Sequence, residues 1–241
     1  MISETKRICL WSGPRNISTA LMYSFAQRED TTVVDEPLYA HYLTSTEASA
    51  YHPGAEEVIN DQENNGEKVV RDVIFGTYKT PVVFFKNMTH HLVDLEWDFL
   101  EKTQNVILTR DPHEMLPSYA KQVKHPTMQD VGYAKHLELL EYLKSLGRKS
   151  LVIDSKEVLM NPEKKLSEIC RSLEIPFDKN MLSWKAGSRP EDGVWAMHWY
   201  HNVHKSTGFQ PYKPKKSEFP DHLKKLLQEC ENIYKKLIED Y

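Results

Sequence analysis

Two stretches of this sequence carry residues whose types and spacing suit phosphate chemistry. The first is Ser12-Gly13-Pro14-Arg15-Asn16-Ile17-Ser18-Thr19. It follows an apolar run and reads as a buried strand, a tight loop, and a helix opening near Ser18 and Thr19. A helix N-terminus after a strand presents free N–H groups and a partial positive charge, so it suits a phosphate. Arg15 adds a planar cation, and Ser18 and Thr19 add hydroxyls. The Gly-Lys-Ser/Thr of a nucleoside-triphosphatase loop is missing, because Ser18, Thr19 and Ala20 stand in its place. The phosphate-binding lysine and the magnesium-holding hydroxyl are therefore absent. The same residues equally fit an ordinary strand–helix turn with a hydroxyl cap.

The second stretch is VILTRDPHEMLPSYAK, residues 106–121. It puts Arg110 at the C-terminal end of a buried strand, the edge where ligands bind in open α/β folds. Asp111 and Pro112 read as a helix cap and first-turn proline, and the helix carries Ser118. A capping Asp111 beside a surface Arg110 is the plainer alternative. A weaker signal is His198, His201 and His204 at three-residue intervals. Three histidines can hold zinc. A helix would spread them about 60° apart in succession, and no Cys or HExxH lies near. An aromatic pocket wall or core, with Trp195, Trp199 and Tyr200, is the favoured reading there.

Short β-rich runs alternate with helical patterns, and these elements must position the chemistry. The sequence predicts strands over 7–12, 31–35, 69–73, 81–86, 104–109 and 149–154. Several are continuous apolar runs, as in strands covered on both faces of a parallel sheet. Helices are predicted over 19–27, 92–102, from Asp111 to near Pro117, over 133–145 with Gly147 as cap, from Asn161-Pro162 onward, and over 221–240. Residues 183–216 show no period, and so long a loop in a compact domain is usually functional. The alternation predicts an α/β fold with a parallel sheet. One domain over 1–241 is expected.

The chain has 241 residues, with 31 Lys and Arg against 35 Asp and Glu. A net charge of −4 argues against non-specific nucleic-acid binding. Cys9, Cys170 and Cys230 are few, unpaired in number and far apart, which fits a reducing compartment. The opening MISETKR leads into an apolar stretch too short for a signal peptide or membrane span, so a cytoplasmic location without membrane contact is expected. The stretch 47–67 is acidic and reads as an excursion with a solvated face.

The pair SGPRNISTAL and VILTRDPHEMLPSY resembles the sulfotransferases that use 3′-phosphoadenosine 5′-phosphosulfate (PAPS). In that family a Pro-Arg-Ser-Gly-Thr-Thr-like loop wraps the 5′-phosphosulfate and an Arg-Asp-Pro…Ser element wraps the 3′-phosphate. The Asp35-Glu36-Pro37-Leu38, Phe84-Phe85-Lys86, His90-His91-Leu92 and 161–184 segments are similar to further family stretches. Lys205-Ser206-Thr207-Gly208 matches a late phosphate-contacting loop more loosely. Here Ile17 stands where the family loop has glycine, and Lys86 lies four residues before His90 rather than two.

The resemblance implies a three-layer α/β, P-loop NTPase-like fold with a central parallel sheet flanked by helices. It implies PAPS as donor, 3′,5′-adenosine diphosphate as product, and no metal. Gly13, Pro14, Arg15, Asn16, Ile17, Ser18 and Thr19 would hold the 5′-phosphosulfate. Arg110 and Ser118, with Lys205 and Ser206, would hold the 3′-phosphate end. Arg15 and Lys86 would face the sulfuryl oxygens. The acceptor would be a small molecule giving a hydroxyl or an amine, chosen by the loops at 38–68 and 184–216. Its proton would go to His90, to His91 or to Glu36. His90 and His91, being adjacent, are expected to point to different faces. An ATP-dependent small-molecule kinase and a non-catalytic nucleotide-binding module remain the rival readings.

Overall fold

The sheet is built outward from β1 (Lys6–Ser12), whose last five residues, Ile8–Ser12, are all buried. A computed structural model describes residues 5–214 and 218–239 of the chain. β1 pairs in parallel with β3 (Val82–Met88) on one side and β4 (Gln104–Thr109) on the other. β2 (Thr31–Asp35) joins β3 and β5 (Leu151–Asp154) joins β4, giving the order β2-β3-β1-β4-β5, all parallel. The register sets Ser12 beside Met88 and Leu108, and Asp35 beside Lys86. The C-terminal ends of these strands therefore share one edge.

Alternate residues of β1 feed opposite layers, as the two-residue strand period requires. Ile8 and Leu10 face a core with α1 (Ser18–Phe25) and α9 (Pro162–Ser172). Cys9 and Trp11 face a second core with α5 (Pro112–Tyr119), α7 (Tyr133–Ser145) and α12 (Lys224–Glu239). Both sheet faces are covered, which explains the unbroken apolar strands. The predicted caps at Asp111 and Gly147 form, and Asn161 opens its predicted helix as a cap. Asp111 accepts from the His113 N–H, Asn161 accepts from the Lys164 N–H, and Gly147 takes φ 69° after α7. α5 ends two residues beyond Pro117.

Two predicted elements are corrected. Residues 69–73 are helical, not a strand. α4 (Gly66–Val69) runs into a π-helical turn at Val70–Ile74. The Asn65 side chain caps α4 by accepting from the Lys68 N–H. Val69 and Ile74 reach the core while Arg71 and Asp72 pair with each other on the surface, a helical and not a two-residue spacing. Residues 92–102 do not form one helix. Asp94 takes φ 42°, which breaks any continuous turn, and only Asp98–Lys102 coils, as a 3-10 segment.

Between β2 and β3 lie α2 (Tyr39–Ser45), a 3-10 turn at Glu47–Ala50, α3 (Ala55–Asp61) and α4. α6 (Met128–Val131) precedes α7, and α8 (Ser155–Met160) precedes α9. The aperiodic stretch holds α10 (Ala196–Trp199), α11 (His201–His204) and one bridge between Ser183 and Gly208. Lys215 and Lys216 of that stretch, the first four residues of the MISETKR opening, and Asp240 at the end of the predicted last helix lie outside the described residues. Among the described residues no helix is long and apolar enough to cross a membrane.

Candidate active site

The loop between β1 and α1 sits at the shared strand edge. Gly13 is required there by close approach, since a Cβ on it would stand 2.9 Å from the Val131 carbonyl oxygen. The loop's positive φ falls on Arg15, at 52°, and not on Ile17, at −92°. The isoleucine therefore occupies the family's glycine position without left-handed strain. Asn16 fastens the loop. Its Oδ1 accepts from the Ile17 N–H at 2.9 Å, and its Nδ2 donates to the Leu108 carbonyl at 3.1 Å. No side chain caps α1, so the N–H groups of its first turn are left to the loop side.

Arg110 leaves the end of β4 and donates from Nη1 to the Arg15 carbonyl at 2.8 Å and from Nη2 to Glu114 at 3.2 Å. Arg15 donates to the Ser118 Oγ at 3.3 Å and to the Trp199 carbonyl at 3.5 Å. Burial and then the neighbouring Arg110 charge lower the Arg15 pKa. Two guanidiniums held this close favour an anion between them. They line a groove of about 1380 Å³, together with Ile17, Thr19, Ser118, Ser206 and Lys213. Ser206 is anchored in its wall, accepting from the Trp184 indole and donating to the Val203 carbonyl. Lys205 is exposed and does not line the groove.

A second pocket, of about 570 Å³, adjoins the groove at Arg15. It shares Arg15, Asn16, Thr19, Trp199 and Tyr200 with the groove and adds Pro14, Ser18, Glu36, Lys86, His90 and His91. Lys86, 1% exposed, donates to Asp35 at 2.9 Å, to Glu36 and to the Tyr200 hydroxyl. Tyr200 in turn donates to Asp35 at 2.7 Å and accepts from the Trp195 indole at 3.1 Å. Burial alone would lower the Lys86 pKa, but the charges of Asp35 and Glu36 outweigh it and the net direction is up. Burial raises the Glu36 carboxyl. Lys86 pulls it back and Asp35 pushes it further, leaving it above its usual range. Glu36 also takes φ 38°, a left-handed backbone for a non-glycine residue.

His90 and His91 lie in a 3-10 turn after β3, and both line this same pocket, not opposite faces as adjacency suggested. A strand would alternate them, whereas the turn does not. Burial pushes the His90 pKa down to about 3 and holds His91 well below its usual value. His91 stacks on both Tyr39 and Tyr42, with ring centroids 4.9 and 4.8 Å away. The other histidines do not converge. His198 packs on Gly54, His201 is exposed, and His204 pairs with Asp192 at 3.0 Å. Among the described residues no three His, Cys, Asp or Glu side chains form a group able to hold a metal.

Sequence reasoning missed three participants. In sequence Asp35 is only part of a motif, and its contact with Lys86 comes from strand register. In sequence Tyr200 is one more wall aromatic, yet its hydroxyl bonds both Lys86 and Asp35. His52 lines the pocket from within the acidic excursion, where its polar surroundings hid it.

The sulfotransferase domain family matches residues 6–237. Two Arabidopsis thaliana proteins, branched-chain-amino-acid aminotransferase-like proteins 1 and 2, are 43% and 40% identical over 220 and 226 residues. Those alignments take in 91% and 93% of this chain but only 39% and 40% of the relatives, so the chain spans about two fifths of their length. Among solved structures, the sulfotransferase domain from the curacin biosynthetic pathway superposes with a TM-score of 0.57 at 15% identity, covering 95% of this chain and 98% of its own. Mouse sulfotransferase SULT7A1 complexed with PAP superposes with a TM-score of 0.55 at 12% identity, covering 99% and 87%. These structures share the P-loop-like fold with this chain. A family match that runs from β1 into α12 takes in both arginine-bearing elements, and the chain belongs to the sulfotransferase domain family.

Proposed function

We propose that this sulfotransferase moves a sulfuryl group from PAPS to a hydroxyl or amine of a small-molecule acceptor, as one domain in the cytoplasm. One observation carries the reading: a two-arginine groove and a smaller aromatic-walled pocket meet at Arg15 and the N-terminus of α1. A donor with a phosphate at each end fits the groove, and an acceptor fits the pocket. The binding of PAP by a mouse protein of the same fold supports the choice of donor. Three free, buried cysteines support a reducing compartment.

In this reading Arg110 and Ser118 hold the 3′-phosphate. Arg15, Ser18, Thr19 and the first-turn N–H groups hold the 5′ end. The donor supplies an activated sulfuryl group. Lys86 offers positive charge where the sulfuryl oxygens gather it, as in phosphoryl transfer by positioning and electrostatics. The bond from sulfur to the nucleotide breaks as the bond from sulfur to the acceptor forms, and the acceptor's proton goes to Glu36. Glu36 is the better base of the three candidates. Its pKa is raised, whereas burial has made the imidazoles of His90 and His91 weak bases.

Thermal unfolding with 3′,5′-adenosine diphosphate and with ATP, each with and without magnesium, tests the donor class. The expected result is a magnesium-independent gain of about 2.7 kcal/mol with the bisphosphate at 100 times its Kd. A gain only with ATP and magnesium would favour a kinase, and no gain with either would remove the nucleotide reading.

A further inference from the structure

We propose that Tyr212 is a positioning residue of the donor groove, setting through Glu114 how Arg110 meets a 3′-phosphate. The inference rests on the sulfotransferase reading of the groove and adds to it a residue from the aperiodic stretch.

Ser206 and the run 208–213 line the groove. The start of this run is tied to the segment before it. Ser183 and Gly208 form a bridge, the Thr207 carbonyl accepts from the Trp184 N–H at 3.1 Å, and Phe209 packs edge-on against the Trp184 ring. Tyr212 ties the run down again, further along. Its hydroxyl donates to Glu114 on α5, and the Lys156 ammonium of α8 lies over its ring, 5.2 Å from the centroid. The bond to Glu114 is the first cause that raises the Tyr212 phenol to about 12, so the hydroxyl keeps its proton and donates at neutral pH.

Glu114 connects this tether to the phosphate cations. It lies four residues after Arg110 and four before Ser118, one helical turn from each. It is 8% exposed and is not among the residues lining the groove, whereas Arg110 and Tyr212 both are. One carboxylate oxygen accepts from the Tyr212 hydroxyl and the other from Arg110 Nη2 at 3.2 Å. Arg110 Nη1 in turn holds the Arg15 carbonyl. A chain of hydrogen bonds thus runs from Tyr212 through Glu114 and Arg110 to the first loop. A carboxylate behind Arg110 orients its planar fork, but it also competes with a phosphate for the same cation. The Tyr212 hydroxyl takes up part of that negative charge. Without it, more of the carboxylate's charge falls on Arg110, and less of the cation is left for the phosphate.

Calorimetry with 3′,5′-adenosine diphosphate and with 5′-adenosine monophosphate tests this. The Kd of the monophosphate divided by that of the bisphosphate isolates the 3′-phosphate. Tyr212→Phe keeps the ring and removes the hydroxyl. That ratio should then fall about 10-fold, the scale of one hydrogen bond to a charged group, while monophosphate affinity stays within about 2-fold of wild type. Glu114→Gln removes the charge through which Tyr212 acts. Adding Tyr212→Phe to Glu114→Gln should therefore change the ratio by less than about 2-fold. A tyrosine that only held the fold together would weaken both nucleotides alike. The proposal is overturned by an unchanged ratio in Tyr212→Phe, by equal losses for the two nucleotides, or by an undiminished effect of Tyr212→Phe beside Glu114→Gln. A wild type to which the 3′-phosphate adds no affinity would overturn the donor reading and this inference with it. That outcome is visible before any variant is made, so the two failures are distinguishable.

Discussion

The Arg110 guanidinium donates to the main-chain carbonyl of Arg15, 95 residues earlier, at 2.8 Å. One side chain thus holds the backbone of the first phosphate element while presenting charge from the second. The left-handed φ of Arg15 is kept in part by this bond and in part by Asn16. Arg110→Met should therefore lose more than one ionic contact. Calorimetry should show 3′,5′-adenosine diphosphate binding weakened by about 10–100-fold. Arg110→Lys should recover little, because an ammonium cannot reproduce the planar fork. Full recovery by lysine would mean that charge alone matters.

Lys86 separates two buried carboxylates. Lys86→Met leaves Asp35 and Glu36 facing each other without a cation, and breaking a buried ion pair this way costs about 3–5 kcal/mol. Urea unfolding at pH 7 should show a loss of that order, and Asp35→Asn in the same chain should return part of it. An unchanged midpoint would mean that the three groups are not coupled as the distances indicate.

Glu36→Gln keeps the shape and removes the base. Turnover should fall by about 10²–10⁴ while nucleotide affinity changes little. The sign of the pH dependence follows from the raised carboxyl. The base works only when ionised, so wild-type kcat should fall as pH drops, through a pKa above the ordinary carboxylate range. His90→Asn and His91→Asn, made singly, should cost less than Glu36→Gln. A larger loss in either would move the base to an imidazole.

His136 is 1% exposed, and both ring nitrogens lack a partner. Burial pushes its pKa down to about 3, below the unfolded value. The folded state therefore binds fewer protons than the unfolded one between that value and about 6.5. Its stability contribution is present above about pH 6.5 and is lost as pH falls, by about 2 kcal/mol between pH 7.5 and 5. His52 and His90 act in the same direction. In His136→Phe the stability difference between those two pH values should shrink by about that amount. An unchanged difference would mean that His136 titrates in the fold as it does in the unfolded chain.

The sequence by itself determined the local features of this protein. The strand–loop–helix with Arg15, the strand end with Arg110, five of the six predicted strands and the caps at Asp111, Asn161 and Gly147 are all specified within a few residues. Runs of apolar residues, a capping side chain and a proline act at that range, so they can be read without knowing what packs above them. Tertiary structure decided the rest. The 69–73 run has β-branched residues enough for a strand, yet two core-facing pairs around Arg71 and Asp72 wind it into a helix. Lys86 meets Asp35 because β2 and β3 pair in one register, which brings together residues 51 apart in sequence. His52 reaches the pocket from an acidic excursion, and Lys205 stays outside the groove that Ser206 lines. The protonation states of the pocket were likewise invisible in the sequence, because they follow from burial and from neighbours in space. Residue type gives a histidine its ordinary pKa, and only the packed core takes it down to about 3.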